Sequence, residues 1–300
     1  MKALTRAQLS LEGLSVGDAF GQTFFVSETE IEDRLAGQKT LLSPWPFTDD
    51  TQMALSVCHV LRCFGRIEPN ALAQNFADHY DPSRGYGPAM HRLLQNPAFP
   101  QDWSRLASNQ FGGQGSWGNG SAMRVAPIGA FFAEDLEAVV EQATVSSLVT
   151  HSHPEAVAGA IAVAIAAALA WREREVQPRC APADFLTGIM EFVPVSEVRS
   201  RISRARDIET ATSLPFAVAV LGNGIQLSAP DTVPFALWCA AQHLDDFAAA
   251  LWLAVNGLGD RDTISAMVGS IVALSTGLEG IPPFWRQARE ALPAWPFETF

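Results

Sequence analysis

The sequence predicts a single all-α domain over residues 1–300, and three observations carry that expectation. Apolar residues recur with a helical period along most of the chain. Alternating strand patterns are nearly absent. No repeat, low-complexity tail or interdomain linker interrupts the run.

Taken in order, residues 7–20, 48–64, 70–79, 134–151, 154–174, 181–192, 195–207, 230–243, 245–255 and 262–278 each carry a helical pattern. Start signals support several of them. Ser27 followed by Glu30 has the form of a capping box, and Pro154 suits a first helical turn. Glu134, Asp135 and Glu137 place negative charge where a helix N-terminus favours it. Gly and Pro mark the breaks at 43–46, 81–88 and 111–120. The last of these, FGGQGSWGNG, holds five glycines in ten residues and is expected to be a loop, because glycine loses the most backbone freedom on ordering.

Composition narrows the function classes. Apolar residues make up 48% and charged residues 17%, enough to bury a large core. The formal net charge of −12 argues against a general nucleic-acid-binding surface, which needs clustered Lys and Arg. A local anion pocket of backbone donors remains open. Cys58, Cys63, Cys180 and Cys239 show neither a CxxC pair nor zinc spacing, so a reducing, cytoplasmic setting is expected. The first 18 residues lack an apolar core of the signal-peptide type, and no membrane association is expected. The apolar run 156–171 is short for a span and is expected to be a buried core helix. A monomer is expected.

Two acidic elements stand out. Thr48-Asp49-Asp50-Thr51 and Asp260-Arg261-Asp262-Thr263 each precede an apolar helical run. Capping and the helix dipole account for either one alone. Together they would offer four carboxylates and two hydroxyls, an all-oxygen set suited to Mg²⁺ or Mn²⁺ rather than zinc. Without a cation, four clustered carboxylates would repel one another and their pKa values would rise.

These elements occur in a series: GLSVGDAFG (13–21), PWPFTDDTQMAL (44–55), GSWGNGSAMRVAPIGA (115–130), THSHPEAVAGAIAVA (150–164), VNGLGDRDTISAMVGSIVAL (255–274) and GIPPFW (280–285). In this order, across residues 13–285, they resemble the ADP-ribosylglycohydrolase family. The resemblance implies a compact orthogonal helical bundle with a binuclear Mg²⁺ (or Mn²⁺) centre in a cleft. Thr48, Asp49, Asp50, Asp260, Asp262 and Thr263 match the family's ligands. The implied activity is hydrolysis of the bond between ADP-ribose and an acceptor, on an ADP-ribosylated protein, nucleic acid or small molecule. The alternatives are a catalytically inactive ADP-ribose-binding or structural relative, or a hydrolase of a small ADP-ribose conjugate.

The resemblance also assigns the cleft. Phe111 and Trp117 match aromatic positions that flank the adenine or ribose, and Gly115, Ser116, Gly118, Asn119 and Gly120 match the phosphate and ribose loop. His151 matches a histidine near the phosphates. Packing for Trp117 and a turn for Asn119 are the plain alternatives. Arg124 is expected to hold the loop by bonds to carbonyls, and Asp18 to support the site from the first helix. Residues 84–87 are equally readable as cleft rim or as plain loop. In one respect the pattern departs: Phe25 stands where some relatives carry a glutamate. Glu28 is then the first candidate for the general acid or base, with Asp49 and Asp50 as the others.

Overall fold

The computed structural model describes residues 2–209 and 211–297. In chain order the helices are α1 (Ala3–Gln22), α2 (Glu28–Gly37), α3 (Asp49–Phe64), α4 (Pro69–Asp78), α5 (Pro88–Leu94), α6 (Trp103–Ser108) and the single turn α7 (Gln110–Gly113), which is not a regular helix because Phe111 and Gly112 take left-handed backbone. They continue with α8 (Ala126–Phe131), α9 (Leu136–Leu148), α10 (Pro154–Glu173), α11 (Pro182–Met190), α12 (Glu197–Asp207) and α13 (Leu214–Leu221). The last four are α14 (Ala229–Gln242), α15 (Phe247–Val255), α16 (Arg261–Thr276) and α17 (Pro283–Ala288). Among the described residues there is no strand, only two isolated bridges, Trp45 to Arg289 and Gly118 to Ser228. The all-α expectation holds.

Local chemistry explains most of the helix starts. Thr48, Asp135, Ser196 and Asp246 cap α3, α9, α12 and α15 by accepting a backbone N–H. Pro154 opens α10, where His153 accepts from the Glu155 N–H. The Ser27–Glu30 capping box does not form. Ser27 makes no side-chain cap bond, and Glu30 instead pairs with Arg34 one turn on. The sequence also hid several short helices, α5, α8, α13 and α17. Each starts on or next to a proline, and Pro is as much a helix starter as a breaker.

The apolar run lies in α10, which is long and apolar enough to cross a membrane by composition but packs against α8, α9, α14 and α16. Its alanines are buried at 0% exposure, so it is the core helix.

What positions the site is the contact of α1 with α16. Gly13, Gly17 and Gly21 recur every fourth residue and form one stripe along α1. A Cβ on Gly17 would stand 2.1 Å from the Ser265 carbonyl oxygen, and one on Gly21 would stand 2.3 Å from that of Arg261. The two backbones touch there because nothing but hydrogen separates them. This approach sets Asp18 of α1 beside the N-terminal turn of α16. An aromatic cluster locks the arrangement: Phe20 stacks on Trp285 with ring centroids 4.3 Å apart, and Trp45 and Trp252 lie against Phe20. Trp45 is tied by its backbone to Ala288 and Glu290, which anchors the segment leading to Thr48.

Candidate metal centre and nucleotide cleft

The N-termini of α3 and α16 meet over α1, and their acidic residues converge. Asp18, Asp50 and Asp262 each bring a carboxylate oxygen within 4.8 Å of the others. Asp18 accepts from the backbone N–H of Thr48 (2.9 Å) and of Thr51 (3.1 Å) and from the Thr51 hydroxyl (2.5 Å). It thereby clamps the first turn of α3 to α1. The Thr48 hydroxyl lies 2.8 Å from Asp18 and 2.9 Å from Asp50, and the Thr263 hydroxyl reaches Asp50 Oδ2 at 3.4 Å.

Capping explains Thr48 but not the aspartates. Asp260 stands at the N-cap of α16 yet makes no cap bond. Its carboxylate turns into the cleft and accepts from Asn119 Nδ2 at 2.6 Å. Asp50 Oδ1 is buried with no hydrogen-bond partner. A buried, unpartnered carboxylate oxygen is costly unless a cation completes it. Burial and mutual repulsion raise the whole group. Asp18 is pushed up to about 7 by burial and by Asp262. Asp49 and Asp50 stand well above the ordinary carboxylate range, first through burial and then through the neighbouring charges. Burial raises Asp260 and Asp262 as well. Clustered oxygens, a missing partner and suppressed ionisation together fit a hard divalent cation.

A cavity of about 400 Å³ opens from this cluster. Asp49, Asp260, Asp262 and Thr263 line one part of it, and Phe111, Ser116, Trp117, Gly118, Asn119, Gly120 and His151 line the rest. Gly115 does not line it. That residue has φ +76°, and a Cβ there would stand 2.2 Å from Ser152 Oγ, so it sets the loop against the segment that carries His151. Phe111 (φ +50°) and Trp117 are about half exposed over the opening. Gly85 and Gly87 line the cavity, whereas Arg84 pairs with Glu290 and lies over the Phe47 ring.

Glu28 is exposed at the first position of α2 and does not line the cavity. Phe25 is half exposed, with the Arg261 guanidinium 4.5 Å over its ring. His153 caps α10 and meets the Trp117 ring edge-on.

Some cleft residues escape a sequence reading. Arg92 is the one Lys or Arg among the residues that line the cavity, and Gln226 and Leu227 close another wall. Leu227 adopts φ +53°, a left-handed backbone uncommon for a leucine, and its carbonyl accepts from the Asn119 N–H. No local signal marks these three residues. The four-residue glycine spacing of α1, by contrast, was visible in the sequence and announces a close helix contact.

Fold and site define an all-α protein with a carboxylate cluster for a cation at one side of a cleft and a glycine-rich loop at the other. Residues 1–296 match the ADP-ribosylglycohydrolase family, and the chain belongs to it; it is a hydrolase of glycosyl bonds. Among its relatives, ADP-ribosylhydrolase ARH3 of Homo sapiens is 28% identical over 96% of this chain and 90% of its own length. ADP-ribosylarginine hydrolase Tri1 of Pseudomonas putida (strain GB-1) is 28% identical over 95% of this chain and 74% of its own. A solved structure titled ADP-ribosylglycohydrolase-related protein complex superposes with a TM-score of 0.69 at 25% identity, covering 96% of this chain and 93% of the other.

Proposed function

We propose that this protein is a Mg²⁺-dependent hydrolase that cleaves the bond between ADP-ribose and an acceptor and releases free ADP-ribose. One observation carries the reading: the carboxylate cluster and the glycine-rich loop open on the same cavity. That pairing suits a ligand with sugar hydroxyls at one end and a diphosphate further along. The names of the relatives, ADP-ribosylhydrolase and ADP-ribosylarginine hydrolase, support the substrate class.

Thr48, Asp49, Asp50, Asp260, Asp262 and Thr263 would hold two ions, Mg²⁺ or Mn²⁺. Asp18 fixes the first turn of α3 from behind and stands close enough to share the cation's charge. Bound divalent ions supply Lewis acidity and a template for the ribose hydroxyls. The chain's own groups do the rest. Asp260 is oriented by Asn119. Asp49 faces the cavity, and burial followed by the charges of Asp262 and Asp18 raises its carboxyl pKa; its place at the cavity wall makes it the proposed acid or base at the acceptor bond. Glu28 would have to move from its exposed place on α2 to share that role. Backbone donors of residues 116–120 other than the Gly118 and Asn119 N–H groups, which Ser116 and Leu227 take, would with His151 hold the diphosphate, and Phe111 and Trp117 would cover the adenosine. All four cysteines are free, in keeping with action in a reducing cytoplasm.

The test is release of ADP-ribose from substrates modified on arginine, on serine and on nucleic acid, with Mg²⁺ and with EDTA. Metal-dependent release from any of them supports the reading and names its acceptor class. Binding of ADP-ribose without release from any substrate would replace it with an ADP-ribose-binding protein or a hydrolase of a small conjugate.

A further inference from the structure

Behind the glycine-rich loop lies a buried cation that no carboxylate pairs with among the described residues. Arg124 is 0% exposed, and its hydrogen bonds to oxygen all go to neutral groups. Nη1 donates to the Gly120 carbonyl at 3.0 Å. Nη2 donates to the Ser146 carbonyl at 3.0 Å and to the Thr150 hydroxyl oxygen at 2.9 Å. The Thr150 hydroxyl in turn lies 2.7 Å from Nδ1 of His151. The His151 backbone is held by Ser147, whose carbonyl accepts its N–H at 2.8 Å and whose hydroxyl donates to its carbonyl at 3.0 Å.

Counting donors decides where the imidazole proton sits. Thr150 is fully buried, and its hydroxyl oxygen has one proton to give. If Nδ1 carried the proton, it would donate to Thr150, and the hydroxyl proton would have no acceptor in a buried site. If Thr150 donates to Nδ1, both the hydroxyl proton and the ring nitrogen are satisfied. Leaving a buried donor unmade is the costlier choice. The bond from Arg124 favours the same direction, because a cation donating to an oxygen makes its O–H a better donor. Burial and Arg124 push the His151 pKa down to about 3, so the ring stays neutral and carries a single proton, on Nδ1 or on Nε2.

The proton therefore stands on Nε2, and that atom faces the loop. A Cβ at Gly118 would lie 3.3 Å from it and one at Gly120 3.1 Å, so side chains there would crowd it. His151 lines the cavity at this point. We propose that Arg124 and Thr150 are positioning residues that hold His151 as the Nε2–H tautomer, aimed between Gly118 and Gly120 as a neutral donor to the substrate's diphosphate. The diphosphate part of this rests on the ADP-ribose reading above. A neutral donor with a fixed proton suits a site whose other side is acidic, because it binds the anion without taking up a proton as the pH changes.

The experiment is a two-bond proton–nitrogen correlation on ¹⁵N-histidine-labelled protein without ligand. His151→Gln identifies the His151 signals among the six histidines. The expected pattern is a protonated Nε2 and an unprotonated Nδ1. In Thr150→Val that pattern becomes mixed or reversed, and ADP-ribose affinity weakens about tenfold with kcat changing much less than KM. Thr150→Ser restores both. A proton on Nδ1 in the wild-type protein overturns the proposal, and that measurement needs no variant to fold. So does a Thr150→Val protein with unchanged tautomer and affinity. The lock with no ADP-ribose binding in the wild-type protein would overturn the diphosphate assignment together with the substrate reading.

Discussion

The two sides of the cleft solve opposite electrostatic problems. On the acidic side, Asp18, Asp49, Asp50, Asp260 and Asp262 crowd together, and burial and repulsion raise their pKa values. On the loop side, the one buried guanidinium, Arg124, stands behind Gly120 and Thr150, and the ring that faces the cavity, His151, is neutral. The acidic side leaves a buried carboxylate oxygen of Asp50 without a partner, whereas the loop side carries a buried guanidinium within the fold. A ligand with hydroxyls at one end and a diphosphate further along matches that asymmetry. In the proposed function a divalent cation would offset the cost of burying like charges on one side, and backbone donors would serve the anion on the other.

The contrast can be broken or sharpened by experiment. The largest effect is expected from Asp262→Asn, which removes a carboxylate from the cluster. Turnover should fall about a hundredfold or more together with divalent-cation affinity, while circular dichroism keeps its helical signal. Unchanged hydrolysis by this variant would remove the cluster from the chemistry.

Next is the stability of the metal-free protein. Asp18 rises from an ordinary 3.8 to about 7 in the fold. A raised folded-state pKa means the folded chain holds the proton more tightly than the unfolded one. Its stabilising contribution is therefore fully present below about pH 4 and lost as the pH rises through about 7. In EDTA the melting temperature should fall across that interval, and added Mg²⁺ should raise it most on the alkaline side. A flat profile in EDTA would show that the carboxylates do not repel as the geometry indicates.

Smaller effects are expected on the loop side. Trp117→Ala should raise KM about tenfold and leave kcat within a few-fold, since in the proposed function the half-exposed ring would cover substrate away from the carboxylates. An equal KM would return Trp117 to packing against His153. Arg92→Ala should raise KM a few-fold and weaken the salt dependence of binding, because Arg92 is an exposed cation on the cavity wall. Salt dependence identical to wild type would take Arg92 out of recognition.

Much of the fold was legible because its information is local. The helical period of α3, α10 and α16, Pro154 at the start of α10 and the turn-forming glycines of residues 112–120 are all properties of neighbouring residues. The same rules failed where a signal has two meanings. Proline at α5, α8, α13 and α17 opens helices that a breaker reading discards, and Ser27 and Glu30 match a capping box whose glutamate Arg34 takes instead.

The candidate site divides along the same line. By itself the sequence determined the chemical inventory: two helix starts bearing Asp-Thr and a further aspartate, with hard oxygen donors, and a glycine-rich loop between them in the chain. Only the tertiary structure decided that they meet. Residues 48–50 and 260–263 are joined by the contact of α1 with α16 at Gly13, Gly17 and Gly21, which also brings Asp18 into the cluster. The same is true of the Arg124–Thr150–His151 chain and of Arg92, Gln226 and Leu227 on the cavity wall. Helix period and capping depend on residues a turn apart. Charge repulsion, an unpartnered carboxylate and the direction of a histidine proton depend on groups brought together only by packing.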